Sequence, residues 1–425
     1  MKNTKNSDPR KLMLPLWADL HTHFRQGNLT HTLANEYLKM GCYAVLAMPN
    51  TSPIVGKVLN DGVGKDLPYW SIVDYKKTIE NAFENKLLDV IVPLYITKNT
   101  TAQMIIEGAN NGSLRAAKYY PPHGTTNSDH SLPMSELMTS DVLKALEETG
   151  TILCIHGEDH NMTGHQFFDK HTNAEIAFYQ KVMPLITEKY PKLKIVAEHI
   201  TTKTAVDFVT HASQNVAATI TPQHLLYTVG DLLLTKSTHL ICMPYVKFEE
   251  DKHALLQAAT TPNNTRFFAG TDNAPHPKLS KQTDCGCAAG CYVGGIAPQL
   301  YAIAFENFGI DLFSHEGYTA FKKFLCELGP HYYGLPQPNG TFELVKENSK
   351  ITILETEIGD IIPLPIGLVK QEHRSTVQLP WSIGNISRPI PNTAPPSSHQ
   401  DKPGDPKKIP NLSRPHTKLD TYTRE

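Results

Sequence analysis

Short apolar runs recur along the chain, and each is followed by a longer stretch whose apolar residues have helical spacing. Eight of the runs have the length of a buried strand. Alternation of strand and helix over about 250 residues favours parallel pairing with right-handed crossovers. The predicted strands are 14–20, 43–48, 90–96, 114–119, 152–156, 193–198, 216–220 and 266–270.

The helical stretches between the runs complete an α/β pattern. Eight strand–helix repeats predict a closed (β/α)8 TIM barrel, with an open doubly wound sheet as the structural alternative. Further helical and β-like stretches after the eighth strand predict a short C-terminal extension. The predicted helices within the repeats are 29–40, 73–88, 102–110, 135–148, 174–189, 202–213 and 249–260.

Composition divides the chain into three parts. Residues 1–11 form an N-terminal leader without the apolar stretch of a secretory signal. Residues 12–385 form the barrel domain with its extension. Residues 386–425 contain eight of the 31 prolines and seven basic against four acidic side chains. Such a segment buries too little apolar surface to offset its ordering entropy, so we predict a disordered tail.

Charge and cysteine usage exclude several classes of protein. Lysine plus arginine number 40 and aspartate plus glutamate 42, so the formal net charge is −2. A nearly neutral chain has no basic field for nucleic acid. No run approaches the ~20 apolar residues of a membrane span. The seven cysteines, mostly in apolar runs, indicate buried free thiols in a reducing compartment. The predicted location is the cytoplasm.

Polar residues that suit metal chemistry stand where five of the predicted strands end. His21 and His23 are two apart in an extended segment, so their side chains point to the same side. Imidazole nitrogen suits zinc and similar ions. In a barrel the carboxyl ends of the strands share one rim, where active sites lie. The full set is His21, His23, Lys118, His156, His199 and Asp272.

Lys118 is the unusual member of this set. A lysine at a strand end is ordinarily a solvated or snorkelling side chain. Beside two metal cations an ammonium would be repelled, whereas a neutral amine could add CO2 and become a carbamate. A carbamate supplies the anionic two-oxygen bridge between metals that the other residues lack.

The motifs together resemble dihydroorotases of the shorter, bacterial monofunctional type, within the amidohydrolase superfamily. The resemblance covers roughly residues 12–385, and the motifs occur in order. They are DLHTHFR at 19–25, MPNT at 48–51, KYYPPHGTTN at 118–127, HGE at 156–158, EHITTK at 198–203, TITPQH at 219–224, GTDNAPH at 270–276, CGCAAGC at 285–291 and HYYGL at 331–335.

The resemblance implies two Zn2+ ions per subunit. It assigns one zinc to His21, His23 and Asp272 and the other to His156 and His199. Lys118, modified to N6-carboxylysine by CO2, and a hydroxide would bridge the two ions. Asp272 would also be the catalytic general acid and base.

The resemblance further implies the reaction and the substrate contacts. The family interconverts N-carbamoyl-L-aspartate and L-dihydroorotate plus water in pyrimidine (UMP) synthesis, and it suggests a homodimer. Arg25, Asn50 and His276 would hold the substrate carboxylate. Thr125 and Thr126 would lie on a loop that closes over the substrate. The backbones of Met243 and Ala288, with Ala289 as the alternative to Ala288, would contact the ring.

Two other functions remain as alternatives. A related cyclic amidase, such as a dihydropyrimidinase or an allantoinase, predicts a site without a carboxylate clamp, which Arg25, Asn50 and His276 argue against. A metal-free pseudoenzyme that serves as a scaffold predicts lost ligands, and none is lost. The cysteines at 285, 287 and 291 lack the four ligands of a structural zinc site, so we predict a packed loop.

Overall fold

The computed structural model describes residues 9–87, 89–284 and 286–388, which all belong to one compact unit. Most of the predicted leader and residues 389–425 of the predicted tail lie outside this range. Two boundaries need correction. Lys11 begins the first strand, and residues 386 and 387 belong to the last. Their backbones complete an antiparallel sheet, and Arg388 donates hydrogen bonds to the carbonyls of Cys42 (2.9 Å) and Leu38 (2.8 Å).

The strands are numbered in chain order. They are β1 (Lys11–Pro15), β2 (Trp17–Thr22), β3 (Cys42–Ala47), β4 (Val55–Lys57), β5 (Trp70–Ser71), β6 (Asp89–Ile91), β7 (Leu94–Tyr95), β8 (Ala116–Tyr119), β9 (Ile152–Ile155), β10 (Ile195–Ala197), β11 (Val216–Ile220), β12 (Phe267–Ala269), β13 (Thr341–Val345), β14 (Ser349–Lys350), β15 (Gln378–Leu379) and β16 (Ser382–Ser387).

The α-helices are numbered in the same way. They are α1 (Asn28–Lys39), α2 (Ile72–Ala82), α3 (Ala102–Asn110), α4 (Met134–Thr139), α5 (Val142–Thr149), α6 (Ala174–Lys181), α7 (Met183–Lys189), α8 (Lys203–His211), α9 (Pro222–Leu226), α10 (Val229–Thr235), α11 (Glu249–Thr260), α12 (Lys278–Lys281), α13 (Ala297–Asn307), α14 (His315–Lys322) and α15 (Leu328–Tyr332).

Two parallel sheets form the centre of the molecule. One has the strand order β2-β3-β6, and the other has the order β12-β11-β10-β9-β8-β7. Their strands are almost entirely buried, as expected for parallel strands with helices between them. The strand–helix alternation predicted from the sequence is therefore confirmed.

Two of the predicted strands are each divided in the structure. The run 14–20 changes partner near Pro15, because β1 pairs antiparallel with β13 whereas β2 pairs parallel with β3. The run 90–96 is interrupted at Pro93, between β6 and β7. Proline has no N–H to donate to a strand ladder, which explains why pairing ends at or beside these residues.

Backbone contacts also join the first and last strands of the parallel sheets at their carboxyl ends. The amide of Asp272 donates to the carbonyl of His21 (2.8 Å), and the amide of His23 donates to the carbonyl of Asn273 (3.0 Å). Thr22 and Asn273 form an isolated parallel bridge. These contacts bring the segments that follow β2 and β12 side by side.

Several helices around the sheets are capped by side chains. Ser71, Thr101, Asn173 and Thr202 each accept a hydrogen bond from a backbone amide in the first turn of α2, α3, α6 and α8. Their apolar faces pack on one continuous core. None of the helices in the described residues is both long and apolar enough to cross a bilayer.

Candidate metal centre and active site

The residues predicted at the strand ends lie together, and all of them except Lys118 line one pocket. His21 lies in β2 and Lys118 in β8, while the others follow the carboxyl ends of β2, β9, β10 and β12 by one to three residues. Parallel strands bring these ends to a common edge. The buried side chains of this cluster are His21, His23, Lys118, His156, His199 and Asp272.

The distances within the cluster are short. Asp272 Oδ1 lies 2.9 Å from His23 Nε2 and 3.4 Å from His21 Nε2. The rings of His199 and His21 are 4.9 Å apart between centroids, and those of His199 and His156 are 4.7 Å apart. One ligand atom from each of His21, His199 and Asp272 falls within 4.8 Å of the others, so these three residues could hold one ion.

Two ligands of the cluster adopt the left-handed backbone conformation. The φ angle is 39° at His199 and 46° at Asp272, where a side chain other than glycine is disfavoured. Hydrogen bonds hold both: the His199 amide donates to Thr219 Oγ1 (2.7 Å), and the Asp272 amide donates to the carbonyl of His21. Strain of this kind persists where the surroundings fix it, and it is concentrated at functional sites.

Unpaired polar atoms in the cluster indicate that its residues suit metal binding. Lys118 is 0% exposed, and its Nζ has no hydrogen-bond partner. The buried Nδ1 of His199 also lacks a partner. Buried polar atoms are nearly always paired, and an unpaired ammonium is among the most costly exceptions. The unpaired atoms therefore indicate that a further group belongs in the cluster.

Burial lowers the pKa of three of the four imidazoles: it lowers that of His23 to about 4, and it also lowers those of His156 and His199. At His21 the effect of burial is outweighed by the nearby carboxylates of Glu198 and Asp272, so its pKa is raised. Burial alone would raise the pKa of Asp272, but hydrogen bonds from His21 and His23 hold it well below its ordinary value. Neutral imidazoles beside an ionised carboxylate are the protonation states that bind metal.

Two buried glutamates that the sequence analysis did not assign contact the imidazoles. Glu198 Oε2 lies 2.6 Å from His21 Nδ1, and it accepts a hydrogen bond from Thr219 Oγ1 at 2.6 Å. Glu158 Oε2 lies 2.7 Å from His156 Nε2. Carboxylates in this position fix the tautomer and orientation of a ligating histidine. Both residues stand within two positions of a predicted ligand, and this proximity was the available signal.

His160 extends the second of these contacts. Its Nε2 lies 3.3 Å from Glu158 Oε2, and its side chain is 12% exposed. His156, Glu158 and His160 form a second group whose ligand atoms lie within 4.8 Å of one another. The structure thus brings His156 close both to His199 and to this acidic partner.

Two of the three predicted carboxylate-binding residues, Arg25 and Asn50, line the same pocket, whereas the third, His276, does not line it but contacts Arg25. Arg25 Nη2 lies 2.9 Å from His276 Nε2, and Arg25 Nε donates to the carbonyl of Pro275 at 3.2 Å. Asn50 Nδ2 donates to the carbonyl of Thr126 at 3.0 Å, which ties the 125–126 segment to the pocket. Arg25, Asn50, Thr125 and Thr126 all line the pocket together with Tyr120 and Met243.

Comparison with known proteins identifies the family. No protein-family model matches the chain. A dihydroorotase from Microcystis aeruginosa is 37% identical over 384 residues, which cover 88% of this chain and 99% of that protein. A dihydroorotase from Vibrio vulnificus is 36% identical over 347 residues, which cover 81% of this chain and 93% of that protein. The chain belongs to the dihydroorotase family.

Solved structures agree with this assignment. Dihydroorotase from Saccharomyces cerevisiae, in complex with 5-fluoroorotic acid, has a TM-score of 0.75 at 25% identity and covers 89% of this chain and 100% of its own. L-Hydantoinase from Arthrobacter aurescens has a TM-score of 0.65 at 14% identity, with 88% and 85% covered. The second likeness shows that the dihydroorotase family shares its fold with other cyclic amidases.

The segment around the paired alanines differs from the dihydroorotase assignment made above. Ala289 and Gly290 line the pocket, whereas Ala288 is not among its lining residues. The Ala288 amide donates to the carbonyl of Ser280 at 2.8 Å, away from the pocket. Of the two alternatives the geometry favours Ala289, because it lines the pocket and Ala288 does not.

The cysteine motif of the dihydroorotase chain is only partly described, since Cys285 lies outside the described residues. Cys287 and Cys291 are free thiols. Neither belongs to a candidate metal cluster among the residues that the structure describes.

Proposed function

We propose that the chain catalyses the reversible cyclisation of N-carbamoyl-L-aspartate to L-dihydroorotate, with release of water, as a step of pyrimidine synthesis. The dihydroorotase relatives that cover most of the chain support the reaction. The observation that carries the proposal is one pocket lined both by metal-ligating residues and by Arg25. Arginine offers a planar fork of donors to a carboxylate, which both reactants carry.

The metal part of the proposal is a pair of zinc ions. His21, His23 and Asp272 would hold one ion, and His156 and His199 the other. When bound, such ions lower the pKa of water and polarise a carbonyl. The unpaired Nδ1 of His199 supports this assignment.

Lys118 would bridge the ions as N6-carboxylysine. Burial lowers its pKa, which favours the neutral amine. The amine nitrogen adds to the carbon of CO2 and loses one proton, so the product is an anionic carbamate with two ligand oxygens. The unpaired Nζ and the buried surroundings of Lys118 support this modification.

Asp272 is the proposed general acid and base. Its depressed pKa keeps the carboxylate ionised at neutral pH, so it accepts the proton that the ureido nitrogen loses as the ring closes. In ring opening it returns the proton to the same nitrogen. Hydrogen bonds to His21 and His23 hold its orientation.

A second group of residues, apart from the metal ligands, is assigned to substrate orientation. Arg25, Asn50 and His276 would bind the substrate carboxylate, and Thr125 and Thr126 would close over it. Burial and the nearby Arg25 lower the pKa of His276 to about 2, so its imidazole is neutral beside the guanidinium. The backbones of Met243 and Ala289 would contact the ring.

A related cyclic amidase is the second candidate, and the carboxylate-binding side of the pocket argues against it. Hydantoin and dihydropyrimidine rings carry no carboxylate for Arg25 to bind. The half-buried guanidinium of Arg25 contacts His276 and a carbonyl within the described residues, and it would then have no charged partner.

The proposal also includes the wider setting of the site. The contacts between the ends of β2 and β12 support closure of the parallel sheets into one (β/α)8 barrel. The catalytic domain would begin near residue 11 and end near 388. The free, mostly buried thiols of the described residues support a cytoplasmic location, and family resemblance supports a homodimer.

The test is an assay of ring closure with purified protein and N-carbamoyl-L-aspartate, with the metal content measured on the same preparation. We expect turnover and two zinc ions per subunit. Two bound ions without turnover on this substrate, but with turnover on dihydrouracil or hydantoin, would overturn the substrate assignment. Turnover by protein that holds no metal would overturn the metal mechanism.

A further inference from the structure

Lys281, at the end of α12, is a buried lysine whose ammonium is fully paired. The residue is 2% exposed. Its Nζ donates hydrogen bonds to the carbonyls of Ile241 (2.8 Å), Ala288 (2.7 Å) and Gly290 (2.8 Å). An ammonium has three N–H donors, and burial is costly unless all are used. The three carbonyls therefore form a complete coordination shell for the ammonium.

These carbonyls come from two segments that are far apart in the sequence. One segment contains Ile241 and the other runs from 288 to 290, so the side chain of Lys281 joins them. In the described part of the chain no carboxylate lies within ion-pair distance of Lys281 Nζ, so backbone carbonyls alone hold the charge. The contact is also reinforced, because the Gly290 amide donates to the carbonyl of Ile241 at 2.9 Å.

The two segments form a wall of the pocket. Met243, Ala289 and Gly290 line it, and the carbonyl of Ala289 lies 3.0 Å from His276 Nε2. Movement of the 288–290 segment would therefore displace both a pocket wall and the partner of a residue assigned to the substrate carboxylate.

Gly290 shows how closely this wall is packed. Its φ is 145°, and a Cβ built on it would lie 2.6 Å from the Cβ of Ala274 and 2.7 Å from its carbonyl oxygen. Ala274 follows Asp272 by two residues, so the wall packs directly against the metal-binding segment. This packing leaves little freedom for the wall to shift without losing a contact.

We propose that Lys281 is a positioning residue that holds the 288–290 segment against the 241–243 segment and thereby sets substrate affinity. The substrate in this statement rests on the function proposed above, whereas the anchoring of the segment does not. The cysteine motif at 285–291 thereby has a structural role, because residues 288–290 lie inside it and carry two of the three carbonyls.

The main test compares Lys281→Met with Lys278→Met, a control on the same helix. Lys278 is only half-buried, and its ammonium makes no hydrogen bond or ion pair among the described residues. In Lys281→Met we expect the amides of Ala288 and Gly290 to exchange hydrogen at least about tenfold faster, because their segment loses its anchor. The control should exchange at the rate of the unaltered protein.

Kinetics separate positioning from a general loss of structure. In Lys281→Met we expect KM for N-carbamoyl-L-aspartate to rise about tenfold while kcat changes less than about threefold, with metal content unchanged. Lys281→Arg, which keeps the charge and the donors, should recover part of both effects. Unchanged exchange and unchanged KM would overturn the proposal, as would loss of metal with a fall in kcat alone.

A measurement on the unaltered protein covers the case in which Lys281→Met does not fold. Acetylation by a water-soluble reagent should modify Lys281 at least about 100-fold more slowly than Lys278, because the ammonium is reached only when the segment opens. Equal rates would overturn the anchoring. If the unaltered protein has no activity on N-carbamoyl-L-aspartate, the proposed function fails, whereas exchange and acetylation still decide the role of Lys281.

Discussion

Two buried lysines in this molecule have opposite surroundings. Lys118 Nζ has no hydrogen-bond partner, and its nearest ring, that of Tyr120, has its centroid 4.9 Å away. Lys281 Nζ donates to three carbonyls. Burial lowers the pKa of both. The difference is that the chain itself supplies the partners of one and not of the other.

This difference distinguishes a residue that binds an external group from a residue with a structural role. A buried ammonium without partners costs several kcal/mol, which is of the order of the whole stability of many domains. Lys118 is therefore explained by a group from outside the chain, whereas Lys281 needs no such group. Lys118 interacts electrostatically with His21, His156 and His199, whereas carbonyls surround the Lys281 ammonium, in keeping with a metal centre and a pocket wall.

Replacement of Lys118 tests the difference between the two lysines most directly and should have the largest effect. In Lys118→Ala we expect activity to fall by at least about 1,000-fold, because both metal binding and transition-state stabilisation depend on the centre. Elemental analysis should find at least one metal ion fewer per subunit. Short carboxylic acids added with metal should restore part of the activity by replacing the carbamate.

Lys281→Met is the matched control for this variant, since it removes a buried lysine whose ammonium is fully paired and should keep its metal. If Lys118→Ala retains full metal and activity, the carbamate bridge is wrong. If Lys281→Met loses as much metal as Lys118→Ala, the distinction between the two lysines is wrong.

Replacement of Glu198 should lower the affinity for zinc, with a smaller effect than replacement of Lys118. Glu198 Oε2 lies 2.6 Å from His21 Nδ1, so Glu198→Gln should free the imidazole to change its tautomer and orientation. We expect the affinity for zinc to fall by about 10- to 100-fold, measured by competition with a chelator. Thr219→Val removes one hydrogen bond to the same carboxylate and also the acceptor of the His199 amide, so it should weaken zinc binding too. Equal affinity in Glu198→Gln and the unaltered protein would show that Glu198 does not orient His21.

Local patterns predicted a large part of the architecture. Helices α3 and α11 have the predicted bounds. The predicted helix 135–148 is divided into α4 and α5, and 174–189 into α6 and α7. In the second case Pro184 explains the break, since it lacks the N–H needed to continue a helix. The prediction of the family is confirmed by the relatives.

The residues that orient the site could not be predicted in the same way. The ligands stand at strand ends, where chain direction alone brings them together, so position in the sequence was sufficient. Lys281 stands instead in a short Lys-Leu-Ser-Lys segment that is typical of a solvated surface. Its burial depends on the carbonyl of Ile241, which is 40 residues away, and on those of Ala288 and Gly290, which are seven and nine residues away. The periodicity of a single sequence contains no information on such loop contacts.

Two buried tyrosines provide the finest test of the contrast between paired and unpaired groups. The hydroxyl of Tyr37 donates to Asp19 Oδ2 at 2.9 Å and also contacts Thr22 Oγ1, whereas the hydroxyl of Tyr120, beside Lys118, has no partner. Tyr37→Phe should lower the free energy of unfolding by about 1–3 kcal/mol, because the buried carboxylate of Asp19 loses a donor.

Tyr120→Phe should leave the free energy of unfolding unchanged or raise it by up to about 1–3 kcal/mol, because it removes a buried polar atom that makes no hydrogen bond. Urea denaturation of metal-stripped protein, followed by circular dichroism, measures both variants without a contribution from bound ions. A loss of 1 kcal/mol or more in Tyr120→Phe would mean that the hydroxyl is paired in the folded chain. The polar groups around Lys118 would then be satisfied without metal, and the argument from its unpaired ammonium would fail with them.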